Sequence, residues 1–128
     1  MAGVYKSILV GTDGSATAGI AVDKAIEVAV ASGAALTLFS AGASPKADQV
    51  VAAALARAKV AGIKKATAKA VDAPAAEALV AEAVDGGYDL LVLGNKGMQG
   101  IGRFAGNSVP NKVTKLSPKC AMLIVRTT

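Results

Sequence analysis

Between Gly94 and Ser108 the chain reads Gly94-Asn95-Lys96-Gly97-Met98-Gln99-Gly100-Ile101-Gly102-Arg103-Phe104-Ala105-Gly106-Asn107-Ser108, with five glycines in the thirteen residues from Gly94 to Gly106. Glycine lets a backbone approach an anion closely, and successive bare N–H groups form a cradle for it. Lys96 and Arg103 lie among these glycines, either as phosphate contacts or as solvated loop cations. The segment leaves an apolar run, Leu90-Leu91-Val92-Leu93, and runs into Ser108-Val109-Pro110. A hydroxyl cap followed by proline in the first turn is a helix start, because the missing proline N–H is one the helix would not use. A strand, a glycine-rich loop and a helix N-terminus together present N–H groups and about half a positive charge to a phosphate. Anion binding accounts for this stretch better than an ordinary loop with turn glycines does.

The rest of the composition narrows the chemistry. There is no histidine, so triads with a histidine base and histidine-ligated metals are excluded. The single cysteine, Cys120, excludes an internal disulfide and a cysteine-based zinc site. It stands in the apolar segment Cys120-Ala121-Met122-Leu123-Ile124-Val125, where it reads as a small buried hydrophobe. Residues 1–93 carry eight Lys/Arg and nine Asp/Glu, whereas residues 94–128 carry six Lys/Arg and no acid. The net charge of +5 is therefore concentrated behind the glycine-rich loop, as an anionic ligand favours. Nucleic acid is the competing partner. The basic residues are too dispersed for it, with only Phe104 among them to stack on a base.

The elements that must position this loop follow from periodicity. The 128 residues are expected to form one domain, with a core of Ala, Val, Leu and Ile, since only 3% are aromatic. Ser7-Ile8-Leu9-Val10-Gly11 reads as a buried strand ended by Thr12-Asp13-Gly14. Ser15 caps a helix over Ala16–Ser32 that carries Ile20, Ala21, Lys24, Ala25 and Val28 at helical spacing and stops at Gly33. Ala35–Ala41 is a second strand. After a short loop, Pro45 opens a helix to about Ala61, with Val50, Ala54, Leu55 and Ala58 inward. Lys65–Val71 alternates weakly, as an edge strand does, and a third helix spans Ala75–Val84 before Gly86-Gly87. A strand at Tyr88–Leu93, a helix from Ser108 to about Leu116 and a final strand at Cys120–Arg126 complete the chain, with Pro118 blocking the last helix. Alternation of this kind predicts an α/β fold, a doubly wound five-stranded parallel sheet in the order 3-2-1-4-5 with helices on both faces. Ligands bind where the strand order reverses, which places Thr12-Asp13 beside Gly94.

The loop is neither a P-loop nor a dinucleotide fingerprint, since no G-x-x-x-x-G-K-[ST] occurs and Gly100-x-Gly102 follows the fourth strand instead of the first. Gly94-x2-Gly97, nine residues, then Asn107-Ser108 resembles the G-x2-G-x9-G-[ST] signature of the universal stress protein family, in its ATP-binding-motif branch. Ser7-Ile8-Leu9-Val10-Gly11-Thr12-Asp13-Gly14-Ser15 resembles that family's opening strand and acidic loop, and Leu123-Ile124-Val125 its closing strand. Asn107 departs from the signature by replacing a glycine, although asparagine also tolerates left-handed backbone.

The resemblance implies that Thr12 and Asp13 face the nucleoside and that Ala41 meets adenine through its backbone. Gly94 and Gly97 would pass the ribose and phosphates, while Asn107, Ser108 and Val109 would hold the outer phosphates. Asp13 has a second reading, an Asx turn that helps Ser15 start the first helix. The implied ligand is ATP, with cyclic AMP as the alternative, in a stress-response or signalling module. A weak ATPase and a member acting through protein contacts without nucleotide are further alternatives. With only Asp13 near the pocket, Mg²⁺ or Mn²⁺ is expected solely with bound phosphates. The apolar last strand, 120–126, and the resemblance together imply a homodimer. Without a charged start followed by a long apolar run, and without a stretch of ~20 apolar residues, the chain is expected to be cytoplasmic and away from membranes.

Overall fold

The computed structural model describes residues 3–94 and 120–126. Five strands, β1 (Ser7–Gly11), β2 (Ala35–Ala41), β3 (Ala66–Val71), β4 (Leu90–Gly94) and β5 (Ala121–Val125), form one sheet in the order β3-β2-β1-β4-β5. Every neighbouring pair is parallel, and the order is the one expected from the alternation of elements. Helices α1 (Ala16–Ser32), α2 (Lys46–Val60) and α3 (Ala75–Gly86) connect the first four strands. The glycine-rich loop beyond Gly94 and the expected helix at 108–116 lie outside the described residues, and with them Lys96, Gly97, Arg103, Asn107, Ser108 and Val109.

The two central strands alternate between two cores. Ile8 and Val10 of β1 and Leu90 and Val92 of β4 pack with Val22, Ala25 and Ile26 of α1 and Ala54 and Ala58 of α2. Leu9, Leu91 and Leu93 point to the opposite face, against Leu79 and Ala83 of α3. Each of these large side chains is removed from water almost completely, which is worth about 1.5–3 kcal/mol apiece. Helix α1 starts where Ser15 Oγ accepts the amide of Ala18 and ends where Gly33 takes up φ 71°. Its buried stripe is Ala18, Ala21, Val22, Ala25, Ile26 and Ala29, so that of the expected Ile20, Ala21, Lys24, Ala25 and Val28 only Ala21 and Ala25 belong to it. Ile20 is 47% exposed. An alanine-rich helix offers two overlapping apolar stripes, each with two β-branched side chains, and the one that carries Val22 and Ile26 meets the sheet.

In α2 the buried valine is Val51, while Val50 is only partly covered. Helix α3 runs two residues past Val84, because the left-handed cap is Gly87. Strand β4 begins at Leu90 and not at Tyr88, because the two residues before it are engaged elsewhere. The Asp89 carboxylate accepts the amides of Lys6 at 2.9 Å and Ser7 at 3.1 Å, while its own amide donates to the Ser7 carbonyl. The Tyr88 hydroxyl sits 2.8 Å from Glu82 Oε2 and 3.0 Å from Thr37 Oγ1. Glu82 in turn accepts from Lys69 at 2.6 Å, which ties α3 to β2 and β3.

Candidate functional site

At the C-terminal end of the sheet a cleft of ≈ 480 Å³ opens between the β1–α1 turn and the β2–α2 connection. Asp13, Gly14 and Ser15 form one wall, Ser40 to Ala43 the floor, and Lys46, Ala47 and Val50 of α2 the other wall. The first turns of α2 line the cleft on the side away from the β1–α1 turn. The volume is that of a small-molecule site, with apolar walls and two opposite charges, Asp13 and Lys46.

The β1–α1 turn is built from side chain to backbone. Thr12 is buried, its amide donates to the Phe39 carbonyl at 2.9 Å, and its Oγ1 accepts the Gly14 amide at 3.1 Å. Its side chain thus supports the turn from below, and it lines the groove between α1 and α2 instead of the cleft itself. Asp13 Oδ1 accepts the Ser15 amide at 2.9 Å, the Asx turn that also helps start α1. Asp13 is also one of the residues that line the cleft. Gly14 adopts φ +83°, and a β-carbon there would meet the Val50 side chain.

Ala41 stands where backbone can face a ligand. In a parallel ladder the N–H and C=O of one residue point to the same neighbour, and alternate residues choose the same side. The Phe39 carbonyl accepts from Thr12 on the β1 side, while the Gly42 amide donates to Val71 on the β3 side. Ala41 therefore directs its peptide groups toward β1, just beyond the point where β1 has ended at Gly11. Gly94 is buried at the end of β4, and continuing the Val10–Val92 register places it level with Thr12. The fold thus brings Thr12, Asp13, Ala41 and Gly94 together at the ends of three adjacent strands.

The universal stress protein family model matches residues 4–54 and 40–126. The chain belongs to this family. A universal stress protein solved in complex with cAMP is 37% identical over 97% of this chain and 98% of its own, with a TM-score of 0.84. The protein Rv1636 from Mycobacterium tuberculosis H37Rv is 35% identical over 97% of both chains, with a TM-score of 0.67. A universal stress protein from Archaeoglobus fulgidus in complex with dAMP, 16% identical over 94% of this chain and 98% of its own, shares the fold at a TM-score of 0.73. No curated protein sequence matches the chain.

For a universal stress protein the sequence reading identified the strand ends but overlooked the α2 wall. Lys46, Ala47 and Val50 enter the cleft from a helix of which Val50, Ala54, Leu55 and Ala58 were expected to face the core. Next to the cleft, a groove of ≈ 360 Å³ between α1 and α2 shares Gly14, Ser15, Lys46 and Val50 with it. Arg57 spans that groove, bonded to the Gly19 carbonyl and paired with Asp23. Among the described residues no group of three His, Cys, Asp or Glu side chains could hold a metal, and no helix is long and apolar enough to cross a membrane.

Proposed function

We propose that this universal stress protein binds an adenine nucleotide in the cleft between the β1–α1 turn and α2. The supporting observation is the convergence of Asp13, the Ala41 peptide groups and Gly94 at the ends of β1, β2 and β4. Ala43, Ala47 and Val50 supply apolar contact for a purine, and the backbone of Ala41 supplies hydrogen bonds for its edge. The Asp13 carboxylate suits ribose hydroxyls, since an ionised carboxylate is an acceptor. The phosphates then extend past Gly94 to Gly97 and the helix start at Ser108 and Val109, with Asn107 next to them and Lys96 and Arg103 as neighbouring cations. Any Mg²⁺ or Mn²⁺ arrives with those phosphates. The role is a binding module of stress response or signalling in the cytoplasm, assembled as one domain that dimerises through β5. It carries little or no ATP turnover, because no general base accompanies the loop.

The signature around Gly94 favours ATP. The cAMP complex of the 37% identical neighbour favours the second reading, cyclic AMP. Calorimetric titration of the wild type, Gly97→Val and Asp13→Ala with both nucleotides tests the proposal. A valine at Gly97 blocks backbone approach and should abolish phosphate binding. Asp13→Ala should weaken either nucleotide by about tenfold to a hundredfold, the range of one charge-assisted hydrogen bond. Wild-type protein that binds neither nucleotide at about 1 mM, a free energy of roughly −4 kcal/mol, would overturn the reading.

A further inference from the structure

At the opposite pole of the sheet, where the strands begin, a second pocket of ≈ 450 Å³ lies between the C-terminal ends of α1 and α2. Its floor is the lower rim of the larger core: Ala29, Ala34 and Ile63 all belong to that cluster and are buried. Its rim is cationic, with Lys6, Lys64 and Lys65, and among the described residues no acidic one lines it.

Lys6, Ala34 and Lys64 stand just ahead of β1, β2 and β3, where the chain enters the sheet, with Lys6 and Lys64 at bends. Both lysines line the pocket together with buried Ala34. The space beside Gly33 and Gly62, at the two helix ends, is open: a β-carbon on either would meet nothing within 4 Å.

Lysines near helix C-termini commonly complement the helix dipole, and that accounts for part of the charge. Two helix ends contribute about half a negative charge each, so three lysines leave an excess of roughly two positive charges. Nothing nearby in sequence offsets it: residues 49–71 hold Arg57, Lys59, Lys64, Lys65 and Lys69 and no acid. Among the described residues the ion pairs engage Lys24, Arg57 and Lys69, and none engages Lys6, Lys64 or Lys65.

We infer that this pocket is a second ligand site, for a small amphipathic anion whose carboxylate or phosphate head sits between Lys6 and Lys64 and whose apolar body covers Ala29, Ala34 and Ile63. It is independent of the nucleotide cleft, which lies at the other ends of the same strands. Sodium octanoate is the probe, with octyl phosphate to distinguish the head group and 1-octanol as the neutral control, followed by amide NMR of the whole chain. Saturable shifts are expected at Gly33, Ala34 and Gly62 to Lys65, with Gly14 and Ala41 unmoved. Lys6→Gln/Lys64→Gln should weaken octanoate about tenfold, the sum of two exposed ion pairs. Added NaCl should weaken octanoate and leave octanol unchanged, a readout on wild type that needs no variant. Whichever anion binds tighter identifies the head group. Octanoate and octanol binding equally, shifts centred on the nucleotide cleft, or no saturation by about 10 mM would each overturn the inference.

Discussion

A β-carbon on Gly14 would lie 2.8 Å from Cγ2 of Val50, so the turn after β1 and the second turn of α2 fit each other only because this residue has no side chain. The φ of +83° adds a backbone cost for any other residue. Gly14→Ala should therefore lower stability by about 1–3 kcal/mol. Adding Val50→Ala should recover the steric part and leave the backbone part. Urea denaturation of both single variants and the double variant measures this. If the two effects add to within about 0.5 kcal/mol, the contact is not the cause.

The Lys69–Glu82–Tyr88 network should weaken at both extremes of pH. Burial pushes the Glu82 carboxyl up, but the hydrogen bonds from Lys69 and Tyr88 outweigh it and hold the group below its ordinary value of 4.5. A depressed carboxyl contributes stability above its unfolded pKa and loses it as pH falls through the folded one. Burial and the neighbouring Glu82 raise Tyr88 above 10.0, so its contribution is present below that value and disappears as pH rises through the higher folded one. Glu82→Gln should flatten the acid limb of a stability–pH curve, and Tyr88→Phe the alkaline limb. Unchanged limbs in both variants would refute the assignment.

Asp89→Ala should destabilise the sheet more than an ordinary surface substitution does. The carboxylate accepts two backbone amides at the start of β1, one of them half-buried, and removing it leaves both without that acceptor. The expected loss is about 1–3 kcal/mol by chemical denaturation, with Asp89→Asn keeping part of it. A change within about 0.5 kcal/mol would show that water replaces the carboxylate freely.

The proposed dimer has a direct handle in Ile124, which is 37% exposed on the edge strand β5. Charge on an edge strand opposes strand pairing. Ile124→Lys should convert a dimer to a monomer in sedimentation at micromolar concentration while leaving the far-UV spectrum unchanged. A wild-type monomer under those conditions would remove the dimer altogether.

The strands and the first helix were legible because their boundaries carry chemistry. Ser7–Gly11, Ala16–Ser32 and Ala35–Ala41 have the limits read from Ser15, Gly33 and the apolar runs. What escaped was the facing of alanine-rich helices, where Ile20 and Val50 occupy positions that periodicity alone cannot orient. Tyr88 and Asp89 read as the start of a strand, yet their side chains serve contacts 51 and 82 residues away. Long-range hydrogen bonds leave no local pattern. At the site, Asp13 and Ala41 could be found from the strand ends, whereas Lys46 could not, because nothing in its helix marks the face turned to the cleft.

The clasp between Asp89 and the start of β1 also orders the birth of the protein in time. β1 is the central strand, yet its partner on one side is made 82 residues later. At about 5–20 residues per second a ribosome needs roughly 4–16 s to supply it. Throughout that interval the nascent chain carries Ile8, Leu9 and Val10 with one rank of backbone N–H and C=O groups unclosed, an open invitation to intermolecular strand pairing. The interval is long compared with the microseconds in which α1 and α2 can form and cover one face. Nascent chains stalled before Asp89 should therefore engage holdase chaperones, and chains extended past Gly94 should release them.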